Sequence, residues 1–278
     1  LAVITVFKVR TIQLPLDRLE QLTQRIGAGD LGTRTTVVAN DEIGRLAGSV
    51  NEMAAGLQER ERMREVFGSV VDPRVRDRLL EHDAEGERVE TTLAFIDLAG
   101  FTAMSESLAP DALLGMLNRY FELCRVAIEA EGGIINKFIG DGVLAVFGAP
   151  AQIPDHPGSA IRALLSLRRS IADLNLQMSA QNLPALQFRA GVHSGEVLAG
   201  VVGSERRSEY TVIGDAVNVA SRLESTAKEL GCDVLVSADT RQRLQQPSLL
   251  DLLQGQGQVG IRGRREALEV YCLEPTPI

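Results

Sequence analysis

Hydrophobic periodicity changes once along this chain, near Glu90, and the change rules out any single repetitive architecture. Before it, Ile43, Leu46, Val50, Met53 and Leu57 recur at alternating spacings of three and four, the a/d seam of a coiled coil sustained for two heptads. After it, short apolar runs alternate with amphipathic stretches. The spacing predicts strands over 92–98, 133–139, 143–147, 187–193, 197–202, 233–236, 257–262 and 267–273, and helices over 111–131, 156–178 and 215–230. Hairpins interleaved with helices argue for the α+β class with a mainly antiparallel sheet rather than a doubly wound one.

Upstream, Leu16, Leu19, Leu22 and Ile26 follow Pro15 at helical spacing, with Pro15 suited to a first turn. Three glycines within Gly27-Ala-Gly29-Asp-Leu-Gly32 should stop that helix. Asp41 is placed to cap the helix that carries the heptads. Two such helices form a pair too thin to fold alone, so association between copies is expected. Beyond Leu57 the seam slips phase, which marks 58–72 as a joint able to pass on rotation, and Asp72-Pro73 should end the helix. Leu1 to Phe7 is almost wholly apolar and precedes Lys8 and Arg10. Although too short to span a bilayer, it reads as the cytoplasmic end of a membrane helix.

Composition narrows the partners. Trp is absent, aromatics are 4% and the net charge is −8, which argues against base stacking and against a DNA-tracking surface; no nucleic-acid partner is expected. A polyanionic substrate would need metals and local Arg or Lys. Cys124, Cys232 and Cys272 form neither a metal pattern nor an obvious disulfide framework, which fits a reducing cytoplasm.

Two aspartates stand out. Asp97 lies in Phe95-Ile-Asp-Leu-Ala-Gly-Phe-Thr102 and Asp141 in Gly140-Asp-Gly142, each after a strand-like run. Two carboxylates in one cleft can hold a pair of hard cations, with unobstructed backbone N–H groups for phosphate. Gly-Asp-Gly is equally a hairpin-turn signal, and turn and ligand are compatible roles. Asn218 and Arg222 fall four apart on one helix face. His193 has no triad-like neighbours and reads as structural, and Asp215 reads as a helix cap.

FIDLAGFT, NKFIGDG, FRAGVHSGEV, YTVIGDAVNVASRLE and VGIRGRR occur in order from Phe95 to Arg265, and the stretch 89–278 resembles the class III nucleotide cyclase catalytic domain. Pro15, the Gly-rich connector and Asp41-Glu42-Ile43-Gly44 make 10–60 resemble a HAMP domain, a parallel four-helix bundle of two chains; 61–88 is then a linker or transducer helix and 1–9 the end of a membrane helix. The resemblance implies a ferredoxin-like, palm-related core acting as a homodimer with its sites between chains. It implies that Asp97 and Asp141 hold two Mg²⁺ (or Mn²⁺), and that backbone from Ala99 through Phe101 and Thr102, with Arg189 and Arg262, binds the triphosphate. Lys137 and Thr211 would read the base, Thr211 standing where many members carry Asp. Asn218 and Arg222 would serve the transition state. The implied activity is adenylate cyclase, forming 3′,5′-cyclic AMP and pyrophosphate from ATP, tethered to the cell membrane with its HAMP and catalytic parts cytoplasmic. The alternatives are a guanylate cyclase and a catalytically inactive nucleotide-binding dimerisation module. A HAMP-bearing histidine kinase, with His82 as phosphoacceptor, lacks a kinase nucleotide pattern downstream.

Overall fold

The computed structural model describes residues 12–36, 41–68, 72–80, 86–180, 183–204, 207–260 and 267–274, with side chains over the same spans except 63–68, 77–80 and 207. The expected membrane end at Leu1–Phe7 with Lys8 and Arg10, His82, and the Arg262-Gly-Arg264-Arg265 stretch lie outside these residues. Among the described residues no helix is long and apolar enough to cross a membrane. The chain divides into two compact units, Leu1–Val71 and Asp72–Ile278.

In the first unit, α1 (Leu14–Gly27) carries Pro15 in its first turn and packs along α2 (Glu42–Gly68). Asp41 caps α2: its Oδ1 accepts from the N–H groups of Ile43 and Gly44, both at 3.0 Å. Within one chain the packing uses only part of the heptad. Leu19, Leu22 and Ile26 bury against Ala47, Val50 and Ala54, whereas Leu46 and Met53 stay exposed. Small alanines let α1 approach one side of α2 and leave the larger seam residues on another. The connector is tied down by Asn51, whose Oδ1 accepts from Thr35 N–H at 2.9 Å and whose Nδ2 donates to Thr35 O at 3.0 Å.

The second unit begins with α3 (Pro73–Leu80). Asp72-Pro73 starts this helix rather than only ending its predecessor, because Asp72 Oδ1 accepts from Arg74 N–H at 2.8 Å. The guanidinium of Arg74 also donates to the carbonyls of Gly132 and Gly133, at 2.6 and 2.8 Å. There follow β1 (Glu87–Leu98), α4 (Phe101–Ser107), α5 (Pro110–Ala130), the hairpin β2 (Ile134–Ile139) and β3 (Gly142–Phe147), then α6 (His156–Ser179) and β4 (Phe188–Ser204). Their sheet order, β2-β3-β1-β4, with every neighbouring pair antiparallel, is the ferredoxin-like arrangement. Next come β5 (Arg207–Ile213), α7 (Asp215–Leu230), β6 (Val234–Ser237), α8 (Ala238–Arg243), α9 (Pro247–Leu250), β7 (Leu253–Val259) and β8 (Leu268–Leu273). β6, β8 and β7 extend the sheet beyond β4, β6 running parallel to β4, and β5 pairs with the far end of β4.

Alternation along the strands divides the core. Ile96, Leu98, Ala190 and Val192 bury against α5 and α6, while α7 covers the other face through Val219, Leu223 and Ala227. That helix sits unusually close. A Cβ on Gly191 would lie 2.2 Å from Ala220 O and 2.3 Å from Glu224 N, so glycine is what lets α7 and the residues it carries approach β4.

Several expectations are corrected. Residues 187–193 and 197–202 fall in one continuous strand, because β4 pairs with β1 from Phe188 to Ala199 and with β5 from Leu198 to Ser204. β5 and the short helix α4 had no counterpart in the periodicity. Gly214, not Asp215, occupies the N-cap of α7, and Asp215 sits in the first turn. Cys232 and Cys272 lie in direct sulfur–sulfur contact with Cα atoms 6.0 Å apart, a separation a disulfide spans. Their pairing follows from the antiparallel β6–β8 ladder, which sets Leu235 opposite Cys272.

Candidate active site

Asp97 is the penultimate residue of β1, on the face opposite Ile96 and Leu98. The hairpin from β2 to β3 brings Asp141 to it. Ile139 pairs with Gly142, so Gly140 and Asp141 form a two-residue turn, and Gly140 takes the left-handed φ of 65° such turns require. Gly142 serves a different purpose. A Cβ there would meet Ile139 O at 3.2 Å and Asp97 Oδ1 at 3.3 Å. The two glycines around Asp141 therefore shape the turn and admit the Asp97 carboxyl, so hairpin and acidic pocket are one construction.

The two carboxyls are within hydrogen-bonding reach, and the Asp97 pKa is pushed up to about 7 by burial first, then by the charge and hydrogen bond of Asp141 and the charge of Glu224. Glu224, on α7, is itself raised, by burial and by Asp141, against the lowering influence of Ser225, Arg189 and Lys228. Motif reading missed Glu224. Its signal is its position two residues past Arg222, on the helix that Gly191 draws against the sheet. Among the described residues no three carboxylate, His or Cys groups converge as a ready-made cation cage. A half-buried pair of hard oxygen donors nevertheless suits Mg²⁺ or Mn²⁺, which take one or two carboxylates and fill the remaining positions with water and phosphate.

This electrostatic cost yields a stability prediction. In an unfolded chain the carboxyl titrates near pH 4; in the fold it holds its proton to about pH 7. The neutral form is thus favoured in the fold, and its stabilisation is complete below about pH 4 and lost as pH rises towards 7. For a fully buried group the loss would be about 4 kcal/mol; solvent screening at this half-exposed site reduces it to about 1–2 kcal/mol. With divalent cations chelated, Asp97→Asn should match the parent at pH 4 and melt about 2–6 °C above it at pH 8. Equal melting temperatures at both pH values would contradict this account of the pair.

The remaining candidates fall into three groups. Arg189 is directly across the ladder from Asp97, so the two share a face. Gly100 holds a left-handed φ of 77° at the start of α4; beyond it the Phe101 side chain packs against the main core, leaving its backbone for a ligand, and Thr102 is exposed. On α7, Asn218 is exposed and Arg222 half-buried one turn later. Arg262 lies outside the described residues.

Lys137 and Thr211 are gathered separately, where β5 leans onto β2. The register of β2 against β3 shifts between Ile135 and Lys137, and such a bulge re-aims side chains. As a result the adjacent residues Asn136 and Lys137 both reach β5. Asn136 Nδ2 donates to Tyr210 O at 2.9 Å, which orients the amide oxygen to accept from the Thr211 hydroxyl at 3.3 Å. Lys137 Nζ donates to Glu209 Oε1 at 2.8 Å. His193, by contrast, is buried and bonded through Nδ1 to Ser237 Oγ at 2.9 Å, a structural position.

The fold and these motifs have counterparts. The model of the adenylate and guanylate cyclase catalytic domain matches residues 85–275, and that of the HAMP domain matches residues 7–59. An adenylate cyclase of Anabaena cylindrica is 33% identical over 282 residues, an alignment covering 95% of this chain and 55% of that protein; the chain thus spans about half the length of this curated relative. Among solved structures, a bacterial light-regulated adenylyl cyclase aligns with TM-score 0.72 at 28% identity, over 81% of this chain and 65% of that one. The guanylyl cyclase Cya2 aligns with TM-score 0.60 at 29% identity, over 68% of this chain and 93% of that one. The match over 85–275 and the agreement of fold carry one conclusion: the chain belongs to the class III adenylate and guanylate cyclase family, with a HAMP domain ahead of its catalytic domain.

Proposed function

We propose that the chain is an adenylate cyclase of signal transduction, forming 3′,5′-cyclic AMP and pyrophosphate from ATP as a homodimer whose two sites each draw on both chains. The observation that carries the choice of ATP is the cluster of Lys137, Asn136 and Thr211. The Thr211 hydroxyl spends its proton on Asn136, so its oxygen is left as an acceptor, suited to the exocyclic amine of adenine. Lys137 can only donate, which suits a ring nitrogen of adenine and opposes the N–H that guanine presents. The likeness to both adenylyl and guanylyl cyclases keeps GTP as the second reading. Initial rates with equimolar ATP and GTP decide between them: a preference for ATP of about tenfold or more is expected from one well-made hydrogen bond, and equal or reversed rates contradict the assignment.

In the reaction the ribose 3′-hydroxyl attacks the α-phosphate and pyrophosphate departs. Asp97 and Asp141 would hold two Mg²⁺ or Mn²⁺, which when bound lower the pKa of the hydroxyl and neutralise phosphate charge. The Ala99 N–H is already donated to Gln187 O at 2.8 Å, so the backbone N–H groups from Gly100 to Thr102, with Arg189 and Arg262, hold the triphosphate. Asn218 orients the ribose, and Arg222 meets charge growing on the reacting phosphate.

Pairing of chains is supported by exposed apolar side chains in both units: Leu46 and Met53 on α2, and Phe138, Ile139, Val202 and Ile213 on β2, β4 and β5. The HAMP domain supports a signalling role in which residues 10–72 shift two catalytic domains into or out of register. On this reading residues 1–9 end a membrane helix, 61–88 form the transducing link and the catalytic part lies in the cytoplasm at the membrane.

A further inference from the structure

The ion pair between Lys137 and Glu209 points to a role beyond surface charge. We propose that Glu209 is the positioning residue for purine recognition, orienting the Lys137 ammonium towards the base before the nucleotide arrives. This rests on the reading of Lys137 as a base reader. Glu209 and Thr211 are two apart on β5, so they share a face of the strand, and both engage neighbouring residues of β2. Thr211 is neutral and offers an ammonium ion no opposite charge, and its acceptor oxygen is the one assigned to the adenine amine. Glu209 supplies that charge. A lysine has three N–H donors; one bond to Glu209 leaves two directed by it. The stem of Lys137 is flexible, and fixing it in advance removes ordering cost from the binding step.

The plain alternative is an ordinary solvated ion pair. The two side chains are 32% and 65% exposed, and such pairs add little to stability, so removing Glu209 should leave the fold intact and act on the nucleotide. The test measures the affinities of the full chain, with Mg²⁺, for the non-cyclisable 3′-deoxy-ATP and 3′-deoxy-GTP, together with kcat and KM. Glu209→Gln should weaken 3′-deoxy-ATP about tenfold, shrink the adenine preference and leave kcat within about twofold. Glu209→Asp should restore most of the loss, and adding Glu209→Gln to Lys137→Ala should cost nothing further. Unchanged affinities in Glu209→Gln, or the same loss when Lys137 is already gone, overturn the inference while the base reading stands. A Lys137→Ala chain that keeps its adenine preference overturns the base reading and this inference with it.

Discussion

Asp97→Asn lowers turnover by about a thousandfold or more, the loss expected when several kcal/mol of charge stabilisation at the reacting phosphate disappear. The substitution keeps the shape that fits against Gly142 and removes only the charge, so a fold effect cannot masquerade as a catalytic one. The same protein should be more stable than its parent at pH 8. Higher melting with lost activity is the signature of a site held under electrostatic cost for function. Asp141→Asn should lose activity to a similar degree, because each carboxylate alone is half of a hard-cation site. Wild-type turnover in either variant, measured with saturating Mg²⁺ or Mn²⁺, would remove the pair from the chemistry.

Arg222→Ala lowers kcat by about a hundredfold to a thousandfold, as for loss of one preorganised charge donor, and changes KM little, because the charge it meets develops only in the transition state. The helix that carries it is firmly placed. Arg222 is half-buried on α7, between Val219 and Leu223, which anchor that helix in the core, and the helix is drawn onto β4 by the absence of a side chain at Gly191. Arg222→Lys should not restore activity, because a point charge on a flexible stem does not replace a planar fork. A rise in KM with kcat intact would assign Arg222 to ground-state binding instead.

How much of this was legible in the sequence depended on what holds each element. The helices over 156–178 and 215–230 were readable because the apolar residues of each face a core at helical period, and the hairpin around Gly140-Asp-Gly142 because its turn residues mark it. Glu87, Arg88 and Glu90 are polar, yet they extend β1, because the ladder with the far end of β4 fixes that segment rather than any buried stripe. For the same reason β4 read as two short strands and β5 not at all. Missing β5 hid Glu209, since the relation of Glu209 to Thr211 exists only once both lie on one face of a strand. Glu224 was hidden by helix packing, and Cys232 with Cys272 by a separation of 40 residues that only the sheet closes. The heptad was read correctly as apolar, but Leu46 and Met53 are exposed while Ala47 and Ala54 are buried, a division that depends on where α1 lies. The catalytic candidates were legible because their chemistry sits in short motifs at turns and helix faces, where residue type is tightly limited.

In the proposed homodimer each site is completed by Asp97 and Asp141 of one chain and by Asn218 and Arg222 of the other. Equimolar mixing of an Asp97→Asn chain with an Asn218→Ala chain, each inactive alone, tests it directly. Random pairing makes about half the dimers mixed, each with one intact and one doubly damaged site, so cyclic AMP formation should recover to about a quarter of the wild-type rate in a two-fold symmetric dimer. Activity no greater than the sum of the two parents, with exchange between chains verified, would contradict a site shared across the dimer.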